Sequence, residues 1–486
     1  MTGRKAPSPA AVHPSAISYF RHAHERQSPF AVVRFPGQES PEAAARQLVS
    51  RSILASAIYE LWGSGTDYPT LHESVKDHSR PLWKIHGDAS FRFEMDSFQG
   101  THSMDEQREI IESFAYTAFR GPVRMKNPDN QFVVFEEYVL DAKIPHKLYL
   151  GRLVAESGRK AINKYTLKKR SYIATTSMDA ELSLVTANLA LAAPGSLAYD
   201  PFMGTGSFPL ACAHFGACVF GSDLDGRSIR GKQKRNVEGN FTQYGTSSSY
   251  LGGFVADLTN TPLRSFTKSR FLDVIICDPP YGVREGLKVL GSTKVALKEV
   301  VLLQDGTPAH LSSTYVPPKR PYSFTRMLDD ILRFGSEKLV DNGRLCMWMP
   351  VAGVTVEDDG EPEEFAVPQH PALEVKSECT QHFNKWSRRL VTYRRRKDEE
   401  VDQELLIAYQ VKMLAVNEGG LEGLTGTASS MNEFRRKVRM KIYTSGNLTR
   451  ADEQNSTSKA SWIRRCHESR RTCYTLFHLD LGAVIV

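Results

Sequence analysis

The sequence has few cysteines, and they form no C-x-x-C pair. Seven cysteines are spread over 486 residues. Such sparse usage argues against a disulfide framework and indicates a reducing compartment. Cys212, His214 and Cys218 lie close together along the chain, but on the helix predicted there the first two point to different faces. We therefore expect no metal site.

Long apolar runs are also absent. The N-terminal segment contains no continuous apolar core of signal-peptide length. No run elsewhere approaches the roughly 20 residues needed to span a bilayer. These absences predict a soluble, cytoplasmic protein with no membrane partner.

Neither sign of charge dominates the composition. Lys and Arg number 62 and Asp and Glu number 55, which gives a net charge of +7. This excess is compatible with a nucleic-acid partner without requiring one, because the placement of charge matters more than its sum. The length of the chain favours two or three domains.

The first third of the chain mixes short strand and helix patterns. After a disordered segment over 1–28, we predict strands at 29–35, 90–98 and 131–140 and helices at 41–63 and 104–119. This mixture predicts an α+β unit over 29–165.

The segment 151–170 is basic, and we interpret it as the join to the next unit. A solvated, charged linker explains such a run equally well. The candidate RNA-binding residues within it are Lys164, Lys168, Lys169 and Arg170.

From residue 178 onward, strand and helix patterns alternate, which predicts a parallel sheet with helices on both faces. One predicted helix covers 227–241, and the last two strands are predicted near 379–397 and 403–411, after an acidic insertion at 356–365. We assign 166–445 to this Rossmann-like α/β unit. The tail, 446–486, is predicted to be disordered.

The turn D-P-F-M-G-T-G-S (200–207) follows the first strand of the second unit. A dinucleotide fingerprint would need a third glycine, but Pro209 stands at that place. Asp200 would repel a pyrophosphate, yet it suits the sulfonium and ammonium groups of S-adenosylmethionine. Gly204 and Gly206 let the backbone approach such a ligand. Taken alone, the segment could also be a structural tight turn.

Two further acids follow the next two predicted strands. Asp223 can accept hydrogen bonds from both ribose hydroxyls, as acids at this position do in nucleotide-binding α/β folds. Asp257 is placed to accept from an adenine amine. Ligands of such sheets lie outside the carboxyl ends of the strands, where all three acids fall.

The run D-P-P-Y (278–281) directly follows the fourth apolar strand, about 75 residues after the glycine turn. The Asp278 carboxylate and the Pro279 carbonyl can accept the hydrogens of an exocyclic base amine and orient its nitrogen toward a methyl donor. Pro279 and Pro280 fix φ so that this carbonyl projects outward. Tyr281 offers a face for an extruded base. A proline-stiffened strand exit is the alternative.

These motifs resemble the catalytic subunits of the eukaryotic tRNA guanine-10 N2-methyltransferase family over roughly residues 29–445. The resemblance is carried by KYTLKKRSYIATTSMDAELSL (164–184), YDPFMGTGS, GSDLDGR, DPPYGVREG, YVPPKRPYSF (315–324), DNGRLCMWMP and WSRRL (386–390). It implies a THUMP-containing RNA-binding region, a Rossmann-like class I methyltransferase domain, S-adenosylmethionine, a tRNA substrate and a small zinc-binding activator protein.

Carried onto this sequence, the resemblance implies cofactor-binding and catalytic residues at matching positions. The first set comprises Asp200, Phe202, Gly204, Thr205, Gly206, Asp223 and Asp257, and the second comprises Asp278, Pro279, Pro280 and Tyr281. It also implies an apolar surface left for the activator. The strand GRLCMWMPV (343–351) is one candidate for that surface, with an ordinary core strand as the alternative.

Three other functions remain open at this point. An adenine N6-methyltransferase acting on DNA or RNA uses the same Asp-Pro-Pro-aromatic arrangement. A catalytically inert RNA-binding subunit could keep the methyltransferase fold. A dehydrogenase is disfavoured by the missing third glycine.

Overall fold

The structure is a computed structural model of the chain. It describes residues 18–20, 28–35, 40–263, 270–282, 287–292, 300–312, 315, 317–352, 366–382, 386–419, 473–478 and 483–484. The chain divides into two compact units, Met1–Lys164 with Arg465–Val486, and Tyr165–Arg464. The predicted acidic insertion at 356–365 and most of both predicted disordered termini lie outside the described residues.

The elements are numbered along the chain. The strands are β1 (Ser18–Phe20), β2 (Phe30–Arg34), β3 (Ala55–Gly65), β4 (Phe91–Phe98), β5 (Asn130–Glu137), β6 (Lys147–Glu156), β7 (Leu197–Asp200), β8 (Cys218–Asp223), β9 (Tyr250–Val255), β10 (Leu272–Cys277), β11 (Lys288–Leu290), β12 (Lys319–Pro321), β13 (Leu339–Ala352), β14 (Leu373–His382), β15 (Trp386–Arg395), β16 (Cys473–His478) and β17 (Ala483–Val484). The helices are α1 (Pro41–Arg51), α2 (Tyr68–His86), α3 (Met104–Glu112), α4 (Lys160–Tyr165), α5 (Ala180–Leu189), α6 (Ser207–His214), α7 (Gly226–Arg230), α8 (Val237–Tyr244), α9 (Phe324–Lys338) and α10 (Gln403–Gly419).

The first unit is built on an eight-stranded sheet of order β1-β2-β17-β16-β3-β6-β5-β4. The helix predicted over 41–63 is only half correct, because α1 ends at Arg51 and β3 follows. Ser52 adopts an extended conformation and stops the helix. β3 is an interior strand, buried along most of its length, so its apolar residues do not alternate as those of a half-exposed strand would.

The segment predicted as a join, 151–170, begins inside this sheet. Residues up to Glu156 belong to β6, which lies between β3 and β5. Arg152 is buried there, and its Nε donates to Oε2 of Glu60 at 2.6 Å. The basic composition of this segment therefore led to the prediction of a join, although its first residues form a core strand. The arginine of that strand is paired with an internal carboxylate.

Three short strands lie in the terminal segments predicted to be disordered. β1 pairs with β2, while β16 lies between β2 and β3 and runs parallel to both; β17 pairs with β16 and β2. At these residues the structure differs from the prediction. Each strand is short and is surrounded by Pro- and Ser-rich or charged residues, and this composition is the reason why the sequence pattern predicts disorder there.

The second unit contains a seven-stranded sheet of order β14-β15-β13-β10-β7-β8-β9. β13, β10, β7, β8 and β9 are parallel, and β15 is antiparallel to both β13 and β14. The chain builds outward from β7 to β9 and then returns to β10 on the other side of β7. The carboxyl ends of β7 and β10 therefore border the crevice in which such sheets bind ligands.

Two predicted elements of this unit are wrong in type or extent. Residues 403–411 form part of α10 instead of a strand, since Asp402 accepts the backbone N–H groups of Glu404 and Leu405 and starts a helix. The helix predicted over 227–241 is interrupted between α7 and α8 by a turn at Gly231. The main core lies between the sheet and α9, whose N-terminal Phe324 is buried.

Candidate active site

The glycine turn connects β7 to α6 at the carboxyl edge of the sheet. Gly204 and Gly206 have φ values of 50° and 84°, in the left-handed region where glycine is favoured. The N–H of Gly206 donates to the carbonyl of Met203 at 2.7 Å and closes the turn. A Cβ atom added at Gly204 would meet nothing within 4 Å, so the space beside it is open to a ligand.

Met203 seats this turn on the sheet, a role that the sequence analysis missed. Its side chain is buried against β8 and β9. A Cβ added at Gly221 would lie 2.5 Å from Met203 Sδ, and one added at Gly253 would lie 2.8 Å from its Cε. The glycine in each strand therefore makes room for one methionine. Glycine within the strand segments FGSD (220–223) and LGG (251–253) is the sequence signal for such a close approach of another part of the chain.

Three acids come together at this edge. Asp200 is buried, and its Oδ1 accepts the N–H of Phe202 at 2.9 Å. Burial raises the pKa of Asp200 well above its usual range, and the nearby charges of Asp223 and Asp278 raise it further. Carboxylates that raise one another's pKa values form a site suited to a positively charged ligand.

Asp223 braces the glycine turn. Its Oδ2 accepts the N–H of Gly204 at 2.9 Å, and its Oδ1 accepts the N–H of Asp225 at 2.8 Å. Burial raises the pKa of Asp223, and the two backbone hydrogen bonds oppose that rise. Each carboxylate oxygen has a second lone pair, so the predicted contact with ribose hydroxyls stays a prediction.

Asp257 makes internal contacts. Its Oδ1 accepts the N–H and the hydroxyl of Thr259, both at 2.9 Å, and its Oδ2 accepts the N–H of Leu290 at 2.6 Å. This buried carboxylate therefore fastens β11 beside the end of β9. The predicted contact with adenine stays a prediction, with Oδ2 as the oxygen that has a lone pair to spare.

The D-P-P-Y segment leaves β10 at the crevice. The hydroxyl of Tyr281 donates to Oδ1 of Asp278 at 2.5 Å. Burial raises the pKa of Asp278, whereas this hydrogen bond and the charge of Arg388 lower it. Pro279 is buried and Pro280 exposed. With Oδ1 engaged by Tyr281, Oδ2 is the oxygen of Asp278 that can accept from a substrate.

The ring of Tyr281 is oriented by two contacts. The Tyr281 ring lies nearly perpendicular to the ring of Phe324 on α9, with 6.3 Å between ring centroids and an interplanar angle of 86°. Its hydroxyl is held by Asp278. The predicted stacking of a base on Tyr281 is not tested by these contacts, which fix the ring and the carboxylate relative to each other.

Arg388 is the neighbour of this pair that the sequence analysis left without a role. It lies on β15 opposite Pro350 of β13, forms a hydrogen bond with Tyr281, and its charge acts on Asp278. Its guanidinium carbon lies 4.7 Å from the centroid of the Trp348 ring, and its Nε donates to Gln381 at 2.7 Å. Trp348 is held in turn by a hydrogen bond to Thr186 at 3.2 Å.

The four candidate RNA-binding residues separate by exposure. Lys164, Lys168 and Lys169 are exposed. Arg170 is buried, donates to the Ser207 hydroxyl at 2.7 Å and to the Tyr165 carbonyl at 3.3 Å, and its pKa is lowered by burial. The assignment of Arg170 to RNA is therefore corrected: this guanidinium holds the start of α6.

Thr205 also has an internal role. It is buried, its hydroxyl contacts that of Ser177 at 2.8 Å, and its carbonyl accepts from Nδ2 of Asn240 at 3.2 Å. Within the part of the chain that the structure describes, no group of three or more His, Cys, Asp and Glu residues is arranged to hold a metal ion. Among the same residues, no helix has the length and apolarity needed to cross a membrane.

Two family models match the chain. The model described as "Tmrp11 THUMP N-terminal domain" matches residues 10–159, and the model described as "RMKL-like, methyltransferase domain" matches residues 168–292. Among solved structures, TrmN from Thermus thermophilus is similar, with 18% identity, coverage of 75% of this chain and 89% of that chain, and a TM-score of 0.33.

Curated relatives match most of the chain. The tRNA (guanine(10)-N(2))-methyltransferase of Saccharomyces cerevisiae is 43% identical over 382 residues, which are 76% of this chain and 85% of the relative. The protein of the same name from Schizosaccharomyces pombe is 41% identical over 76% of this chain and 74% of its own length. The human tRNA (guanine(10)-N(2))-methyltransferase TRMT11 is 36% identical over 78% of this chain and 82% of its own length. The chain therefore belongs to the tRNA (guanine(10)-N(2))-methyltransferase family.

Proposed function

We propose that this chain is the catalytic subunit of a tRNA methyltransferase that transfers a methyl group from S-adenosylmethionine to the N2 amine of guanosine at position 10. The observation that carries the proposal is the Asp278–Tyr281 pair beside the acids of the glycine turn, in a chain whose relatives are named for this reaction. The relatives' names favour guanine over adenine as the target.

The residues at the crevice fit S-adenosylmethionine. Asp200, Asp223 and Asp278 concentrate negative charge where a sulfonium and an ammonium group would relieve their mutual repulsion. The open space beside Gly204 gives such a ligand access to the turn. Asp223 and Asp257 are the candidates for its ribose and adenine. When bound, this cofactor supplies an electrophilic methyl group.

The chain's own residues then position the amine. The free Oδ2 of Asp278 accepts one N–H of the guanine amine, which draws electron density back onto nitrogen and aims its lone pair at the methyl carbon. A bound S-adenosylmethionine would supply its methyl group to this nitrogen and leave as the thioether, and the proton that the alkylated nitrogen then loses would leave easily. Catalysis is mostly the alignment of the two reactants, and Tyr281 and Arg388 keep the carboxylate in its place.

The proposal is tested by the product. Bulk tRNA incubated with the protein, the proposed activator and S-adenosylmethionine is digested, and its nucleosides are measured by mass spectrometry. We expect N2-methylguanosine with the wild type and a loss of at least about 10²-fold in rate with Asp278→Ala, because an orienting hydrogen bond is removed. Cofactor affinity should be largely retained. N6-methyladenosine would support the adenine alternative, and cofactor binding without a product would support an inert subunit.

We also propose that the chain works with the small zinc-binding activator that the family resemblance implies. The first candidate surface, 343–351, is core: Leu345, Met347 and Met349 are fully buried. Exposed apolar surface lies instead at β9, the end strand of the described sheet. A groove of about 490 Å³ there is lined by Leu197, Phe220, Leu251, Gly252, Gly253, Phe254, Leu263 and Phe271. Apolar surface of this kind is a liability unless a partner covers it.

The proposed place of action is the cytoplasm. Among the described residues, Cys212, Cys218, Cys277, Cys346 and Cys379 are free thiols. Unpaired cysteines of this kind favour a reducing compartment.

A further inference from the structure

A basic turn separates α7 from α8, at a place where the sequence pattern predicts one continuous helix. Five of the eleven residues 226–236 are Lys or Arg and none is Asp or Glu. Arg227 is paired with Asp225 at 2.8 Å, but the next four basic residues extend beyond that pair. They are Arg230, Lys232, Lys234 and Arg235, and all four are exposed.

The turn is tightly built. Lys232 and Arg235 exchange two backbone hydrogen bonds, each 3.0 Å long. Gly231 has a φ of 51°, and a Cβ added to it would lie 2.0 Å from the carbonyl oxygen of Arg235. A Cβ added at Gly239 would lie 2.1 Å from the carbonyl oxygen of Lys234. A loop that only carried solvated charge would not need glycine on both sides of a fixed turn.

The turn packs against the segment that carries Lys168 and Lys169. Nε of Arg235 donates to the Ser171 carbonyl at 3.1 Å, and Nε2 of Gln243 on α8 donates to the Lys169 carbonyl at 2.7 Å. These contacts bring two basic stretches, more than 60 residues apart in sequence, onto one surface. We define the basic surface as Lys168, Lys169, Lys232, Lys234 and Arg235.

The basic surface adjoins the cofactor turn. Asn240, on α8, donates to the carbonyls of both Tyr172 and Thr205, at 2.9 and 3.2 Å. A Cβ at Gly206 would lie 3.0 Å from Val237, the first residue of α8 after the basic turn. Among the residues that the structure describes, Lys168, Lys232 and Lys234 have no carboxylate partner. Their charge is therefore available to a ligand beside the crevice.

From this arrangement we propose that the basic surface holds phosphates of the substrate tRNA beside the methyl-transfer site. The inference rests on the proposed function and adds residues 232–235 to its RNA contacts. Closely set cations on a backbone that is fixed by hydrogen bonds suit a polyanion, and binding to phosphates releases condensed counterions. An acidic protein partner is the alternative occupant.

The test uses the full-length protein together with its activator and a tRNA transcript with guanosine at position 10. Lys232→Ala/Lys234→Ala is compared with Lys376→Ala/Lys412→Ala, which removes the same charge from β14 and α10. β14 is at the end of the sheet opposite β9, and Tyr409 of α10 packs on His370 near β14. The dissociation constant for tRNA is measured at several salt concentrations, with cofactor affinity and thermal unfolding as controls.

We expect the first pair of substitutions to reduce the slope of log affinity against log salt by about 1.4–1.8, at roughly 0.7–0.9 for each phosphate that the variant no longer neutralises. This change corresponds to a loss of roughly 25- to 60-fold in affinity at 0.1 M salt. The control pair should bind tRNA like the wild type, and neither pair should change cofactor affinity or thermal unfolding.

Three outcomes would overturn the inference. If the wild type binds and methylates tRNA and Lys232→Ala/Lys234→Ala shows the same slope, the basic surface does not bind phosphates. The proposed function would not be affected by this result. Loss of the activator with an unchanged tRNA slope would assign the surface to protein contact. Failure of the wild type itself to bind tRNA would contradict the proposed function as well.

Discussion

The hydroxyl of Tyr281 lies 2.5 Å from Oδ1 of Asp278 and donates its hydrogen to it. This hydrogen bond joins the two functional ends of the D-P-P-Y segment, and it assigns one oxygen of the carboxylate to the protein. We propose that the other oxygen accepts a hydrogen bond from the substrate amine. Tyr281 therefore has a role through its hydroxyl in addition to any role of its ring.

Tyr281→Phe separates these two roles, because it keeps the ring and removes the hydroxyl. Loss of a hydrogen bond to a charged group costs about 1.5–3 kcal/mol. We expect kcat to fall by about 10- to 100-fold while KM for tRNA stays near its wild-type value. Tyr281→Ala, which also removes the ring, should raise KM as well. A phenylalanine variant with wild-type kcat would show that the hydroxyl is dispensable.

We expect Arg388 to set the position of the acid limb in the pH profile of kcat. The amine-accepting form of Asp278 is the carboxylate, so kcat falls as pH drops through the pKa of Asp278. Burial raises that pKa and the positive charge of Arg388 lowers it. Removal of this charge by Arg388→Gln should move the acid limb to higher pH. The Arg388→Lys control keeps the charge and should hold the limb near its wild-type position.

Among the residues that the structure describes, the other charged or titratable groups that interact with Asp278 are Asp200, Cys277 and Tyr281. Of these three, Tyr281 forms a hydrogen bond with Arg388, and either substitution at Arg388 alters that bond. A purely structural role for Arg388 would lower kcat equally at all pH values. A profile of unchanged shape in Arg388→Gln would therefore contradict the electrostatic role.

Substitutions of Asp223 and Asp225 serve as test and control for cofactor affinity. Asp223→Asn removes the charge of the residue that braces Gly204, and we expect S-adenosylmethionine affinity to fall by about 1.5–3 kcal/mol. Asp225 pairs with the exposed Arg227, and such pairs contribute about 0–1 kcal/mol. Asp225→Asn should therefore bind nearly as the wild type does. Calorimetry that ranks the two variants in the opposite order would move the ribose role to Asp225.

The groove beside β9 is the proposed binding site for the activator, and a substitution within it should weaken the effect of co-expression. Leu251 is 61% exposed at this groove, and Leu311, outside it, is 68% exposed. Leu251→Asp places a charge in the proposed interface, and we expect it to lower the soluble yield and activity gained on co-expression with the activator. Leu311→Asp should leave both gains intact. Equal gains for the two variants would place the partner elsewhere.

The common location of three acids at one edge of the sheet could be predicted from the sequence because each acid gives a local signal. Asp200, Asp223 and Asp278 each follow an apolar run, and the carboxyl ends of parallel strands meet at one edge of a sheet. The position of Arg388 beside Asp278 could not be predicted from the sequence, because the two residues are more than 100 positions apart. Arg388 lies on β15, the antiparallel strand between β13 and β14, and this strand brings it to Asp278. The burial of Arg170 and the interior position of β3 could not be predicted for the same reason, because both depend on contacts with residues that are distant in sequence.

Methyl transfer to N2 of guanosine at position 10 can be measured with a pair of matched substrates. Two tRNA transcripts that differ only by guanosine or adenosine at position 10 are incubated with the protein, the proposed activator and S-adenosylmethionine, and the modified nucleosides are identified and mapped by mass spectrometry. We expect N2-methylguanosine at position 10 of the first transcript and no methylation of the second. Equal methylation of both transcripts, or a methylated adenosine in either, would contradict this expectation.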